Sequence, residues 1–393
     1  MSDYVRVRWR DSRNLNDIVL FMMSSKVKVI AFYLPQFHPI PENDEWWGKG
    51  FTEWTNVASA KPLFKEHYQP RIPADLGFYD LRLPEVRQQQ AELAKEAGVT
   101  AFCYWHYWFG NGKELLERPF DEVVQSNQPD FPFCLGWANH SWMSKNWNIR
   151  KSNVVSKTLM EQNYPGKEDM VQHFYRLLPA FKDSRYLRVH DRLLFLIYDA
   201  KRMPDFELLK STWNELAGLN GLPSFFFIAN SENINDLDSV KFKVFDAISL
   251  CRISSALNFE RSIFHKIKSF VINHYLSKLL KYPMNMVEYS NAIKAIDTDK
   301  FELPTIYPTV IPMWDPSPRR GISSMIYHNS TPTLFKKHVK MILNRIKDKP
   351  DEDKVIFLKS WNEWAEGNYM EPDLKWGKGY IKALREVLDE ADK

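Results

Sequence analysis

VIFLKSWNEWAEGNYMEPD, residues 355–373, opens with four consecutive apolar residues, Val355, Ile356, Phe357 and Leu358, and then changes character abruptly. A run this short and unbroken fits a strand buried on both faces. Where it ends, Glu363 and Glu366 stand three residues apart among Trp361, Asn362, Trp364 and Tyr369, and Gly367 can take a backbone turn that a side chain would hinder. Cleaving an acetal needs two carboxyl groups in different states, one protonated for the leaving oxygen and one ionised as base or nucleophile. Mutual repulsion and apolar walls can separate two such pKa values, and tryptophan faces suit the C–H surface of a pyranose. A solvated helix start carrying two acids would not need three aromatic residues and a glycine around it.

Working outward, the same alternation of apolar run and helical pattern recurs along the chain. Strands are expected at 27–33, 100–105, 133–139, 192–199, 224–229, 246–250, 305–313 and 355–360. Helices are expected at 84–98, 113–126, 167–182, 204–219, 331–347 and 378–391, the first opened by Pro84 and stopped by Gly98. A short helical or irregular piece falls near 236–242, and 258–297 exceeds one crossover, which suggests an insertion of one or two helices. Eight strands alternating with helices predict a (β/α)8 barrel, with residues 27–393 as one catalytic domain and 1–26 as a poorly ordered extension. Met22 or Met23 are alternative starts. An open doubly wound sheet shares the alternation but would not place unusual residues after nearly every strand.

Those residues are Tyr33 with His38, Tyr104 with His106 and Trp108, Trp137 with Asn139 and His140, Tyr198, Arg252, Trp314 with Asp315, and the pair Glu363 and Glu366. All lie at or just beyond the C-terminal ends of expected strands, on the face where such barrels carry their sites. The segment 34–83 is too long for a mere connection; it holds Glu53 and Trp54 and reads as one wall of the site. Arg319 and Arg320, after the seventh strand, would clamp a ligand carboxylate or phosphate, or else close the loop as an ion pair.

Composition narrows the function classes. The chain has 393 residues and a net charge of +4, which gives nucleic acid no electrostatic hold. Aromatic residues make up 15%, with 14 Trp, more than an ordinary core needs and in keeping with a carbohydrate groove. Cys103, Cys134 and Cys251 are odd in number, lie in or just after apolar runs and lack metal-ligand spacing, so they read as buried thiols. No HxH or HExxH pattern supports a metal, and no cofactor is implied. No segment spans a membrane, and the expected location is the cytoplasm. Residues 261–281 are basic and amphipathic; their apolar side would pack on the barrel or, in a second reading, touch the anionic inner-membrane surface.

Five motifs in order, AFYLPQFHPIPENDEWWGKGFTEWTNV, FCYWHYWF with KELLERPF, LGWANHSW, PMWDPSPRR and WNEWAEGNYMEPD, resemble those of the WbsX-like proteins related to glycoside hydrolase family 99. The resemblance runs from about residue 29 to 388. It implies a (β/α)8 fold, carbohydrate chemistry and a setting in bacterial O-antigen or polysaccharide biosynthesis. It further implies that Glu363 acts as base on the substrate's own 2-hydroxyl, which attacks C1 to give a 1,2-anhydro sugar, and that Glu366 protonates the leaving oxygen and later activates water. Mannose-like sugars have the trans O2 this needs. His140 departs from the acidic residue usual in that segment, which alters the charge and hydrogen bonds offered to a hydroxyl.

The resulting expectation is a retaining α-glycosidase acting on an oligosaccharide or polysaccharide, with a glycosyltransferase or transglycosylase of surface-polysaccharide synthesis as its rival. A metal-dependent nucleotide-sugar transferase would use a DxD after a strand, whereas Asp297 with Asp299 and Asp351 with Asp353 both precede one. A catalytically dead binding protein is the third class, and the intact acid pair argues against it.

Overall fold

A computed structural model describes residues 26–144, 157–259, 283 and 285–393. Eight parallel strands, β1 (Lys28–Tyr33), β2 (Ala101–Trp108), β3 (Phe133–Trp137), β4 (Arg192–Ile197), β5 (Phe225–Ser231), β6 (Ala247–Leu250), β7 (Ile306–Val310) and β8 (Val355–Leu358), pair in chain order. β1 closes the ring, with Ile30 opposite Ala101 on one side and Phe357 on the other. The fold is a (β/α)8 barrel.

The strands read as nearly continuous apolar runs because both their faces are covered. On the inner face Phe32 stacks against Trp105 at 4.6 Å and Phe357 at 5.1 Å. Gly136 leaves room there, since an added Cβ would meet the Trp105 ring at 3.0 Å. On the outer face Phe195 packs against Trp213 of the helix Phe206–Leu219 at 4.9 Å. Helices Pro84–Ala97, Arg118–Ser126, Lys167–Lys182, Pro332–Ile346 and Gly379–Ala391 complete much of the outer layer. Pro84 starts the first of these, and Gly98, at φ +81°, ends it in the left-handed conformation glycine adopts without strain. All three cysteines are buried and unpaired, and Cys103 and Cys134 are register neighbours.

Segment 34–83 carries two short helices, Pro41–Trp47 and Glu53–Ser59, over the strand ends. It is strapped to the last strand by Asn362, whose Oδ1 accepts from Leu34 N at 2.8 Å and whose Nδ2 donates to Leu34 O at 3.0 Å. After β6, the described part of the expected helical insertion contains a strand as well as a helix. Asn285–Glu288 pairs in parallel with Met325–His328 before the helix Tyr289–Ile296 begins. Four residues, NMVE, are too few to display a period, which is why this strand is invisible in the sequence. The expected extension 1–26 lies almost wholly, and the basic segment 261–281 wholly, outside the described residues. No described helix is long and apolar enough to cross a membrane.

One buried acid holds the end of the chain's defining stretch. Glu371 is 2% exposed and accepts from Trp364 Nε1 at 2.6 Å, Gln90 Nε2 at 2.6 Å and Tyr79 OH at 2.9 Å. Burial pushes its pKa up to about 7, against the pull of those donors. A carboxyl raised above its unfolded value binds its proton more tightly when folded. The stability it contributes is therefore full below about pH 4 and lost as pH rises through 7. Over that interval the wild type should lose on the order of 3 kcal/mol more than Glu371→Gln, as read by urea unfolding at the two ends. Parallel pH dependences would disprove the assignment.

Candidate active site

At the C-terminal mouth of the barrel lies a cleft whose empty space, open mouth included, is ≈ 740 Å³. Leu34, Trp105, Tyr107, Ala138, His140, Trp142 and Tyr198 form its walls, and Arg319, Arg320, Lys359, Glu363 and Glu366 supply charge. The acids come from a tight structure after β8. Asn362–Glu363 pairs antiparallel with Asn368–Tyr369, and Trp364–Glu366 forms a 3-10 turn between them. This turn brings both carboxylates onto one side of the cleft.

Arg319 organises them. Its Nε and Nη2 donate to Glu53 Oε1 at 3.0 and 2.7 Å, Nη2 also to Glu363 Oε2 at 3.1 Å, and Nη1 to Glu366 Oε1 at 2.7 Å. One guanidinium thus serves three carboxyl groups, using the fork geometry that lysine lacks. Burial, then repulsion by Glu366, raises the Glu363 pKa to about 8 despite Arg319. Burial acts the same way on Glu366, but Arg319, Lys359 and Arg320 together outweigh it and hold Glu366 below the usual carboxylate range. The two carboxyls are thus pushed in opposite directions, Glu363 toward its protonated form and Glu366 toward its ionised form. His140 is kept neutral mainly by burial, with its ring 5.0 Å from that of Tyr198.

The loop supporting Arg319 is fastened to the acid turn. Asp315 N donates to Glu366 O at 2.8 Å, and the buried Asp315 carboxylate accepts from His67 Nε2 at 2.9 Å, Gln69 Nε2 at 2.7 Å and Ser317 N at 3.1 Å. Gly367, at φ +55°, lies so close that an added Cβ would stand 2.7 Å from Asp315 Cβ and 2.8 Å from its carbonyl oxygen. Gly367→Ala should cost about 2 kcal/mol or more through clash and backbone strain. It should also part Glu366 from Arg319. Thermal melts together with turnover measure both effects; a variant as stable and as active as wild type would refute the interlock.

The structure brings together only some of the residues the sequence singled out. Glu363, Glu366, His140 and Tyr198 line the cleft. Glu53 is fully buried beneath Arg319, so it reaches the acids only through that cation. His38 turns to Pro35 O at 3.0 Å, and burial lowers its pKa to about 4. Trp54 packs against Phe37 and Trp364 and donates to Tyr79 O at 2.7 Å. Trp364 in turn stacks on Tyr369 at 3.7 Å, and Trp361 is fully buried. Trp314 lies under Lys359 Nζ, 5.3 Å from its ring centroid. Asn362 and Asp315 serve as the loop ties described above. Arg252 caps the helix Tyr289–Ile296 by donating to Ile296 O and Asp297 O.

On β2 and β3 the singled-out residues point outward. Tyr104 packs against Tyr33, His106 bonds to His173 Nε2 at 2.7 Å, and Trp108 stacks on His173 at 4.7 Å. Trp137 donates to Trp108 O, and Asn139 Oδ1 accepts from Asp199 N at 2.7 Å. The inward positions are Trp105 and Tyr107. Strict alternation along β2 carries the signal, since Cys103, Trp105 and Tyr107 share one face and Tyr104, His106 and Trp108 the other. The same step of two, counted from Phe32 and Phe357, leads to Leu34 and Lys359. Among the described residues no group of three or more His, Cys, Asp or Glu is placed to hold a metal ion.

A family model described as "Glycosyltransferase WbsX" matches residues 29–384. Two curated relatives, each named "Uncharacterized protein WxcX", come from Xanthomonas campestris pv. campestris strains ATCC 33913 and B100. Both are 35% identical over 368 residues, 92% of this chain and 50% of theirs, so the chain spans about half the length of the curated relatives it matches. Among solved structures, a glycoside hydrolase-like protein is similar at a TM-score of 0.57 and 16% identity, covering 92% of this chain and 94% of that one. The GH99 endo-α-mannosidase from Bacteroides thetaiotaomicron is similar at 0.55 and 13%, covering 93% and 97%. At those identities the structures share the barrel.

Proposed function

Since the chain belongs to the WbsX family, whose description is that of a glycosyltransferase, we propose that it acts on a glycosidic bond through Glu363 and Glu366. The specific reading is a retaining α-glycosidase for a bacterial surface polysaccharide or related oligosaccharide of mannose-like configuration. One observation carries it: the two carboxyl groups open into the same aromatic cleft and are held in opposed protonation environments. Trp105, Tyr107 and Trp142 offer faces to a sugar ring, and His140 and Tyr198 offer polar groups to its hydroxyls.

In this reading the substrate's 2-hydroxyl attacks C1. The ionised carboxylate takes the hydroxyl proton while the protonated carboxyl gives its own to the leaving oxygen, producing a 1,2-anhydro sugar. Water then opens the epoxide at C1. The spent acid, now a carboxylate, takes the proton from water, and the spent base returns its proton to O2. Two inversions give net retention without an enzyme-bound sugar. The unliganded electrostatics favours Glu363 as the proton donor and Glu366 as the base, the reverse of the order that the family 99 resemblance implies.

The family description favours a second reading, in which a sugar hydroxyl replaces water and the product is a longer glycan of O-antigen or capsular type. A screen of purified protein against α-manno-configured and bacterial surface oligosaccharides, with and without acceptor, separates the two. Reducing sugar released with retained configuration supports the glycosidase. Extension of the acceptor without hydrolysis replaces it with the transferase, and the absence of both reactions across the panel would sink the enzymatic reading.

A further inference from the structure

Three cations line the cleft, and they are not equivalent. Arg319 spends its guanidinium on Glu53, Glu363 and Glu366, so the ligand clamp expected of it is already occupied by protein carboxylates. Arg320, its neighbour at the end of the short helix Ser317–Arg320, is exposed and also lines the cleft. Lys359 follows β8 on the inward face and presents its ammonium beside the Trp314 ring. Among the described residues neither Arg320 nor Lys359 forms a salt bridge. Both feel the charge of Glu366, which already has Arg319 in direct contact, and Lys359 also feels Cys251, Tyr198 and Glu232.

Burial works against the Lys359 charge, but Cys251, Glu366, Tyr198 and Glu232 outweigh it and hold the ammonium charged. It makes no salt bridge, so its N–H donors remain free for a ligand. Of the three cations on the cleft, Arg319 is matched by Glu53, Glu363 and Glu366, whereas Arg320 and Lys359 have no bonded carboxylate. A neutral glycan would offer their donors no charged acceptor, whereas an anionic one would supply it.

From this geometry we infer that Arg320 and Lys359 form an anion subsite beside Glu363 and Glu366, and that the substrate carries an oxyanion next to the scissile sugar. The inference rests on the glycan-active reading and specifies its substrate class. A uronate carboxylate on a neighbouring sugar and a phosphate ester on the glycan or its leaving group share this chemistry. Both are planar or tetrahedral oxyanions that an arginine fork and a lysine point charge can hold together.

Binding, measured apart from turnover, tests it. The full chain carrying Glu363→Gln is titrated calorimetrically, at low and high salt, with a uronate-bearing manno-oligosaccharide, its phosphomonoester counterpart and the matched neutral saccharide. The expected result is at least roughly 10-fold tighter binding of one or both anionic saccharides than of the neutral one, weakened by salt. Adding Arg320→Met or Lys359→Met should shrink that preference by about 10-fold each. Arg320 is exposed, so its variant keeps the test informative even if Lys359→Met fails to fold. Preference for uronate alone or phosphate alone identifies the source of the oxyanion. Equal affinity for all three saccharides, no binding of either anionic saccharide at millimolar concentration, or loss of neutral and anionic binding alike in the variants would overturn the inference. Charge-dependent binding by a protein that neither cleaves nor transfers would instead sink the enzymatic reading and leave the subsite standing.

Discussion

Glu363→Gln and Glu366→Gln should each lower turnover by roughly 10²- to 10⁴-fold on an unactivated glycoside, with the fold intact, because each replacement keeps shape and removes a proton-transfer function. The two variants should part company on an aryl glycoside with an acidic phenol. A good leaving group needs no proton, so it rescues the variant that lacks the acid and does nothing for the variant that lacks the base. The site's electrostatics predicts rescue in Glu363→Gln, since burial and the Glu366 charge leave the proton there. Rescue in Glu366→Gln instead would mean that substrate moves the proton across the pair, as the family 99 resemblance implies. Wild-type turnover in either variant would remove that carboxyl from the mechanism.

Arg319→Met is expected to destabilise the protein by about 3–5 kcal/mol at neutral pH, the cost of stripping the cation from buried ionic partners. Three carboxyl groups lose their shared donor at once, and Glu53, fully buried, has no water to turn to. Their pKa values rise on loss of the cation. By linkage the damage is smallest at acid pH, where they are protonated anyway, and grows as pH rises through their folded values. Denaturant midpoints at pH 5 and pH 7.5 read this directly. Arg319→Lys separates charge from geometry, because an ammonium can neutralise one neighbour but cannot span three. A methionine variant as stable as wild type at pH 7.5 would mean that the network contributes no net stability, and wild-type turnover in that variant would exclude Arg319 from setting the state of the acids.

The barrel was legible in the sequence because each strand is a short apolar run ending in polar aromatic residues, and β8 with its two acids shows this most plainly. The lining of the cleft was less so. On β2, chemistry-bearing residue types fall on both faces, and the striking YWHYW run draws the eye to His106 and Trp108 while alternation delivers Trp105 and Tyr107. Glu53 stands beside Trp54 in the sequence like a substrate contact, yet its partner, Arg319, lies 266 positions away, and no local pattern announces so distant a pairing. Lys359 hides for another reason. It sits between an apolar strand and the acid motif and resembles an ordinary strand-end lysine until the inward step from Phe357 is counted.

The pairing of Glu53 with Arg319 also fixes when in folding the site comes into being. Glu53 belongs to the first loop of the chain, while Arg319, Glu363 and Glu366 belong to the last two. The two groups meet only when β1 closes against β8, the pairing of greatest sequence separation in the barrel and the one whose loop-closure entropy is largest. Until that seam forms, Arg319 lacks its deepest partner and the acids lack a fixed charge environment. A chain with its β1–β8 seam open would hold Arg319 without Glu53, so in the proposed mechanism the acid pair gains its full charge environment only with closure of the ring.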